Sequence, residues 1–201
     1  MNSQVPSLYD SSSPLSDQLD AAFDRAKTEA TNLRKADFGA PESTIEDLRR
    51  KSEVTTLTIH VDQAKTTTSL VEVIHLSAGR SRPSDEEDLR EAGLMVVVRV
   101  PYTGNRMLLQ YLATGHQNLD VSARLLENEI EFSETFTMPT TAETIREWRG
   151  NVLARLTANA DLANAQVHDH NEKVAAMLPR VLNKRQADEK ALRKIAEELD
   201  S

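Results

Sequence analysis

The period of the hydrophobic residues changes twice along the chain, and this order restricts the possible folds more than any single motif does. Residues 16–38 place apolar side chains every three or four positions, residues 54–138 largely alternate them in twos, and the chain after Pro139 returns to the longer period. The first and third patterns predict helices, and the second predicts strands. Because the strands are grouped and do not alternate with helices, we predict an α+β fold with an antiparallel sheet of five or six strands.

Two helices are predicted before the sheet. Ser43 and Glu46 have the spacing of a capping box, which predicts a short second helix through Leu48. Residues 1–15 are rich in Ser and Pro and have no apolar period, so we predict that they are disordered. The first helix carries its apolar face at spacings of three and four, on Leu19, Ala22, Phe23, Ala26 and Ala30.

The strand region is predicted from several short segments. "VTTLTIHV" and "LVEVIHL" alternate in twos, with "DQAKTTTS" between them as a hairpin loop. The polar stretch "GRSRPSDEEDLREAG" follows, with Ser84 and Glu87 as a possible cap for one helical turn. "LMVVVRV" is the most apolar strand and is predicted to be central, and "MLLQYLAT" and "VSARLLENEIEFSETFTM" complete the sheet. Residues 127–129 are predicted to form the turn inside the last segment, because Asn128 tolerates a left-handed backbone.

The C-terminal region predicts a long helical hairpin. Thr140 and Glu143 have capping-box spacing, and an apolar stripe follows them at helical spacing. Pro179 is expected to break or kink this helix, so that the residues after it form a second helix. Asn159, Gln166 and His170 interrupt the stripe, which argues against one continuous coiled coil. We therefore predict an antiparallel hairpin that also forms a homodimer contact, through Trp148, Val152 and Leu156.

Composition limits the classes of protein that the chain can belong to. The formal net charge is −8, which opposes non-specific binding to nucleic acid, and there is no cysteine for disulfides or thiolate metal sites. The longest apolar run is too short to cross a bilayer, and the N-terminus lacks the features of a signal peptide. We expect a soluble cytoplasmic protein with a disordered segment (1–15), a helical and β domain (16–139) and a C-terminal helical arm (140–201).

No segment of the sequence predicts a reaction. "VPYTGN" contains one glycine and predicts a plain turn, because a phosphate-binding loop needs several. His168 and His170 lie two positions apart on a predicted helix and so point in different directions, whereas His60 and His75 could meet across neighbouring strands. The contiguous acids of "SDEEDLRE" are typical of a solvated surface. We expect a chain that is not an enzyme and has neither cofactor nor metal.

The C-terminal region offers two kinds of partner. Its length, greater than a small sheet can cover, favours a non-catalytic interaction module such as a sensor or adaptor, with a protein partner. The alternative is a nucleic-acid-associated protein whose phosphate contacts are the basic residues of the last helix, Arg180, Lys184, Arg185, Arg193 and Lys194. No membrane partner is expected.

The order of three segments resembles a known group of bacterial proteins. These are the strand ending in "VRVPYTGNRMLLQYLAT", the hairpin "RLLENEIEFSETFTMP", and the Thr-capped helix leading to "NEKVAAMLPRVLNKRQADEKAL". Residues 94–195 are similar to the N-terminal portion of poorly characterised proteins whose longer members carry a restriction-endonuclease-like nuclease domain associated with phage defence. The resemblance implies an accessory role, and no nuclease residue of that group matches a position in this chain.

Overall fold

Three helices and five strands form the part of the chain that the computed structural model describes, residues 8–9, 13–33, 41–75, 89–119 and 121–199. The helices are α1 (Leu15–Thr31), α2 (Pro41–Ser52) and α3 (Ala142–Leu199). The strands are β1 (Leu57–Ile59), β2 (Lys65–His75), β3 (Leu89–Gly104), β4 (Ser122–Leu125) and β5 (Glu129–Thr137). This confirms the predicted α+β class and the antiparallel sheet of five strands.

Strand β3 is the centre of the sheet, as the "LMVVVRV" pattern predicted. It pairs antiparallel with β5 along one side, and β4 follows β5 outward. Along its other side β3 pairs first with β2 and then with the short β1. Val96, Val98 and Val100 are fully buried on one face, whereas Arg99 between them is exposed. The alternation in the sequence is therefore the alternation of the two faces of the sheet.

Pro101 lies inside β3 and does not end it, contrary to the prediction that the strand breaks there. The carbonyl of Pro101 accepts a hydrogen bond from the backbone N–H of His60, which lies in the gap between β1 and β2. Because that neighbour is not a strand residue, the missing N–H of proline removes no regular ladder bond. The strand ends at Gly104, whose φ of 96° is a positive angle that glycine adopts without a steric cost.

The segment after Gly104 is a 3₁₀ helix (Arg106–Leu109), so the prediction of a strand in "MLLQYLAT" was wrong. The side chain of Asn105 accepts a hydrogen bond from the backbone N–H of Met107, and this cap starts the turn. The predicted loop "DQAKTTTS" was also wrong in part, because β2 begins at Lys65. The capping box predicted at Ser84 lies outside the described residues.

Helix α3 runs through Pro179 without a break, so the predicted helical hairpin was wrong. A proline inside a helix costs about 3 kcal/mol, through a lost hydrogen bond and a clash with the preceding turn. Leu178 and Leu182 on either side of Pro179 are 0% and 2% exposed. Burial of two leucines contributes about 3 to 6 kcal/mol, which is enough to offset the proline.

The caps of the helices differ slightly from the predicted ones. The hydroxyl of Thr141, one residue after the predicted Thr140, accepts a hydrogen bond from the N–H of Thr144 at 3.2 Å. Helix α2 begins at Pro41, two residues before the predicted Ser43. Shifts of this size are usual, because several neighbouring Ser and Thr residues can cap the same helix.

The described chain divides into two compact units whose limits differ from the three segments expected from the sequence. Unit 1 contains residues 1–10, 57–110 and 116–160, and unit 2 contains residues 11–56, 111–115 and 161–201. Leu8 is buried, although the first fifteen residues were predicted to be disordered; residues 1–7 and 10–12 lie outside the described part. No helix among the described residues has an apolar stretch long enough to span a bilayer.

Unit 1 has its core between the sheet and the first part of α3. The ring of Trp148 meets the rings of Phe132 and Phe136 edge-on, with centroids 5.8 and 5.5 Å apart. Such pairs add about 0.5 to 1.5 kcal/mol to the burial of the rings. Val152 and Leu156 follow on the same face of α3 and are buried.

Unit 2 has its core among three helices. The buried members of the cluster lie on α1, α2 and the middle of α3, at Ala30, Leu48, Val174, Leu178 and Leu182. Phe23, Ile45 and Met177 are partly buried against them. The predicted stripe of α1 is confirmed, because Leu19, Ala26 and Ala30 are its buried residues together with Leu15.

Candidate functional site

Asn159 interrupts the apolar stripe of α3 because it binds backbone. Its Oδ1 accepts a hydrogen bond from the N–H of Gln117, and its Nδ2 donates one to the carbonyl of the same residue, both at 2.8 Å. Asn159 is 1% exposed. The side chain of Asn159 thus satisfies both the N–H and the C=O of Gln117, which lies in an irregular segment of unit 1. A neighbouring strand would satisfy the same two groups.

Asn171 makes the same arrangement in unit 2. Its Oδ1 accepts from the N–H of Val54 at 3.0 Å and its Nδ2 donates to the carbonyl of Val54 at 2.9 Å. Nearby, Nε2 of the buried His170 lies 3.3 Å from the carbonyl oxygen of Ser52. Since a carbonyl can only accept, Nε2 carries the proton. Of the three polar residues that interrupt the stripe, Asn159 and His170 therefore form hydrogen bonds with backbone groups.

Gln166 is the third interruption, and it has no such partner. Its Oε1 is buried and accepts no hydrogen bond from the residues that the structure describes. A buried amide oxygen without a donor costs about 1 to 3 kcal/mol, so this position calls for an explanation. Gln166 lines a pocket of about 400 Å³ in unit 2, between α1 and α3.

The pocket combines an apolar floor with charged groups. The α1 side contributes Ser16, Leu19, Asp20 and Phe23; the other lining residues are Thr114, Gln166, Asp169, His170 and Lys173. Leu19 is 5% exposed and Phe23 is half-buried, whereas the two carboxylates and the ammonium group belong to exposed residues. The lining therefore carries two negative charges and one positive charge, not counting His170. A volume of this size lies within the usual range of sites for small molecules.

A second buried polar cluster surrounds Tyr9 in unit 1. Tyr9 has a φ of 55°, and its ring meets that of His116 at a centroid distance of 4.3 Å. Burial raises the pKa of Tyr9 to about 12, although its hydrogen bond with Asn159 acts in the opposite direction. Burial also lowers the pKa of His116, whose Nδ1 has no partner among the described residues. Both groups are therefore neutral near pH 7, and the cluster offers no charged acid or base.

The end of α3 forms an exposed surface that we call the distal arm (residues 183–199). Residues 190–199 are all exposed. Leu192, Ile195 and Leu199 are 67%, 53% and 81% exposed and, at spacings of three and four, lie on one side of the helix. Exposed leucines in such a row are a common feature of helices that bind another protein.

The residues predicted as a homodimer contact lie elsewhere on α3. Val152 and Leu156 are 3% and 0% exposed, so their side chains belong to the interior of unit 1. Trp148 is half-buried against two phenylalanines and lines a depression of about 230 Å³ together with Glu134 and Arg155. Its indole Nε1 is buried and has no partner among the described residues.

The basic residues of the nucleic-acid alternative are all exposed, on the last six turns of α3. Arg193 lies 4.0 Å from Glu189, and Lys194 lies 3.7 Å from Glu198, each at a spacing of four. Arg180, Lys184 and Arg185 complete the predicted set. The neighbouring carboxylates reduce the positive potential of the outer part of this surface.

The histidines considered as metal ligands are separate. Exposed His168 lies 3.1 Å from Glu172, whereas His170 turns inward to Ser52. Nε2 of His60 lies 3.1 Å from Oγ1 of Thr103, and the side chain of His75 lies outside the described part. No group of three possible metal ligands occurs among the described residues.

Searches of protein-family models, of curated proteins and of solved structures found no match to this chain.

The lining of the pocket was not predicted from the sequence. Its one local signal was that Asp20, Gln166 and Lys173 stand beside apolar positions of two helices, and this pattern is also that of an ordinary exposed face.

Proposed function

We propose that the chain is a non-catalytic interaction module that pairs with a second copy of itself through the distal arm. The observation that carries the proposal is the row of Leu192, Ile195 and Leu199, which are more than half exposed. Most of the stability of a helix in a protein comes from the packing of its apolar face, and this face contributes only when it is covered. A second copy would provide that cover.

The expected strength of the pairing follows from the exposed fractions. Together the three side chains expose the equivalent of about two complete ones, and full burial contributes about 1.5 to 3 kcal/mol each. Two copies would thus gain about 6 to 12 kcal/mol, against an association cost of about 4 to 15 kcal/mol. A net gain of about 5.5 to 7 kcal/mol, toward the favourable end of these ranges, corresponds to a dissociation constant on the order of 10 to 100 μM, and we take this weak dimer as the expected strength.

The distribution of charge favours an antiparallel pair. Residues 180–194 hold six Lys or Arg against Asp188 and Glu189, whereas residues 195–199 contain Glu197 and Glu198 and no basic residue. In an antiparallel arrangement the acidic end of one copy lies beside the basic segment of the other, and a parallel arrangement would place like charges together. Charge complementarity of this kind specifies orientation more than it adds affinity.

Two further observations support an adaptor. The described polar clusters contain backbone-binding amides and neutral rings, and neither supplies an activated nucleophile. The resemblance of residues 94–195 to the portion that precedes a nuclease domain favours a role in a bacterial cytoplasmic defence system. A purified chain that hydrolysed nucleotides or nucleic acid, with activity abolished by one point mutation, would refute this function.

The pairing is tested by sedimentation equilibrium from about 5 to 500 μM, a range that brackets the expected dissociation constant. The wild-type mass should rise from 22.4 kDa toward twice that value. Leu192→Lys should hold the mass at 22.4 kDa, because it places a charge in the paired face. Leu70→Lys is the matched control, since Leu70 is 85% exposed on the sheet of unit 1 and should leave pairing unchanged.

Other outcomes would refute the arm as the contact. A wild-type chain that stays monomeric over the whole range, or a dimer that Leu70→Lys abolishes and Leu192→Lys preserves, would each do so. The nucleic-acid alternative predicts instead that the chain binds duplex DNA, with an affinity that falls by about one log unit per log unit of salt for each phosphate contacted. Binding that Arg180→Gln and Lys184→Gln abolish would favour that alternative.

A further inference from the structure

We propose that Leu8 and Tyr9, which together we call the strap, open away from the rest of unit 1 when His116 gains a proton. This inference does not depend on the distal arm, because the strap and His116 belong to unit 1 and the arm belongs to unit 2. It would make the chain a pH-responsive module whether or not the arm pairs.

The strap is held to unit 1 by hydrogen bonds and by the burial of one side chain. The backbone N–H of Tyr9 donates to the carbonyl of Leu109 at 2.9 Å, and that of Leu8 donates to the carbonyl of Ala123 at the longer distance of 3.4 Å. Leu8 is buried, and the side chain of Tyr9 forms a hydrogen bond with that of Asn159. Because these contacts involve two residues outside the sheet, the strap can open while the sheet stays folded.

The backbone of Tyr9 is strained in the closed strap. Its φ of 55° lies in the left-handed region, which a bulky side chain rarely adopts. Such a conformation persists only where the surrounding contacts enforce it. The strain lowers the free energy that opening requires, so that a change at one contact can shift the equilibrium between the closed and the open strap.

His116 is the contact of the strap that responds to pH. Its ring meets the ring of Tyr9 at a centroid distance of 4.3 Å, and its Nδ1 is buried without a partner among the described residues. A neutral imidazole can leave this nitrogen without a proton, whereas the charged ring carries an N–H at both nitrogens. Protonation therefore places a donor and part of a positive charge where the closed strap provides neither water nor an acceptor. Opening of the strap lets water reach the ring.

The groups around His116 do not compensate its charge. Burial raises the pKa of Tyr9 to about 12, so its phenol is neutral in acid, and the amide of Asn159 on α3 does not titrate. Arg155, one turn earlier on α3, donates to the carbonyl of Asn118, and its positive charge opposes a second one nearby. Burial lowers the pKa of His116, and no ion pair of this ring with a carboxylate, which would raise the pKa, occurs in the described ranges.

The size of the effect follows from the linkage between protonation and opening. The open strap leaves His116 near the ordinary histidine pKa of about 6.5, and the closed strap holds the pKa lower. The closed strap is therefore favoured above pH 6.5 and loses stability as the pH falls. The ratio of open to closed strap should rise by up to about tenfold for each pH unit below about 6.5, until His116 is protonated in the closed strap as well.

Hydrogen exchange of the Tyr9 amide in the full chain, followed by NMR, measures this opening, because that N–H is bonded to Leu109 only in the closed strap. After correction for the intrinsic pH dependence of exchange, its protection should fall by about 5- to 30-fold between about pH 7.5 and about pH 5. The amide of Val98 is the reference, since β3 has a paired strand on both sides of it. It should remain more protected than Tyr9 at every pH.

Matched histidine variants assign the effect to His116. His116→Gln should keep the protection of Tyr9 constant over the same pH range, whereas His168→Gln, at an exposed position of α3, should leave the fall unchanged. The converse measurement uses Tyr9→Ala, which removes the ring from His116. The pKa of His116, measured by NMR titration, should then rise toward about 6.5, because linkage is reciprocal.

Three results would overturn the proposal. The first is a Tyr9 protection that is constant with pH, or that increases in acid because the charged ring binds the face of the Tyr9 ring. The second is equal protection of Tyr9 and Val98 at each pH, since the strap would then open only together with the sheet. The third is a pKa of His116 that Tyr9→Ala leaves unchanged, and this result is informative even if His116→Gln does not fold.

Discussion

Replacement of Asn159 by alanine would remove its hydrogen bond with Tyr9 and, from a dry interior, two hydrogen bonds to backbone. Both bonds go to Gln117 at 2.8 Å, and Asn159 is 1% exposed, so water has little access to replace its amide. A buried polar group left without a partner costs about 1 to 3 kcal/mol. Because Gln117 is exposed, water can reach its freed backbone N–H and C=O, and the cost of each should lie toward the lower end of that range. We expect Asn159→Ala to lower the free energy of unfolding by about 2 to 4 kcal/mol.

Asn171→Ala removes an equivalent pair of bonds at a wetter position. Asn171 and Val54 are both half-buried, so water can reach the freed groups and the expected loss is about 1 to 2 kcal/mol. Asn183→Ala is the control, because Asn183 is exposed on the same helix. It should be neutral or slightly stabilising, since alanine has the higher helix propensity.

Urea unfolding followed by two signals measures these losses. Trp148 is the single tryptophan and belongs to unit 1, so its fluorescence reports the unit that contains Asn159, while circular dichroism at the helical band also reports unit 2. A fluorescence-detected loss below about 0.5 kcal/mol for Asn159→Ala would refute the reasoning, because surface substitutions typically reach that size. A larger loss for Asn171→Ala than for Asn159→Ala would refute the argument from burial.

Other predictions concern glycine and two titrating groups. A Cβ at Gly93 would lie 2.6 Å from Cγ2 of Val73, so Gly93→Ala should destabilise by about 1 to 3 kcal/mol in urea, whereas Gly150→Ala, with nothing within 4 Å, should stabilise by about 0.5 to 1 kcal/mol. Because the pKa of Tyr9 is raised to about 12 from 10, its contribution to stability should be complete below pH 10 and lost as the pH rises toward 12. The ultraviolet titration should contain a tyrosine near pH 12 that Tyr9→Phe removes. The pKa of His116 is lowered by burial, so the unfolded chain takes up its proton first, and stability should fall as the pH drops below about 6.5. His116→Gln should flatten that decline in urea unfolding measured between pH 7 and 5, and an unchanged slope would contradict it.

The spacing of apolar residues predicted the helices and strands that are stabilised by burial of one regular face. The stripe of α1 and the apolar alternation of β3 were sufficient to place a helix and a central strand, because burial acts on every third or second residue. The same pattern failed at Pro179, where contacts of Leu178 and Leu182 with other helices outweigh the proline. It failed again after Gly104, where a single Asn105 side chain decides between a turn and a strand.

The polar residues of α3 could not be interpreted from sequence. Asn159 bonds to a residue 42 positions away, and Asn171 bonds to one 117 positions away. Nothing in the neighbouring residues specifies such partners, so a pattern analysis treats these side chains as defects in a coiled coil. The anomaly of Gln166 becomes visible only after the partners of the others are known.

The position of β2 in the sheet affects how the protein behaves in concentrated solution. The strand pairs with β3 on one side, and no other strand of the described chain pairs with it on the other. Between Lys65 and Glu72 it consists of the uncharged segment "TTTSLV", whose free backbone groups can template the addition of a foreign strand. The strand at the opposite edge, β4, has only four residues and therefore presents fewer free backbone groups to a foreign strand. Edge-to-edge aggregation should therefore begin at β2, and the charges of Lys65 and Glu72 are the features of its sequence that oppose it.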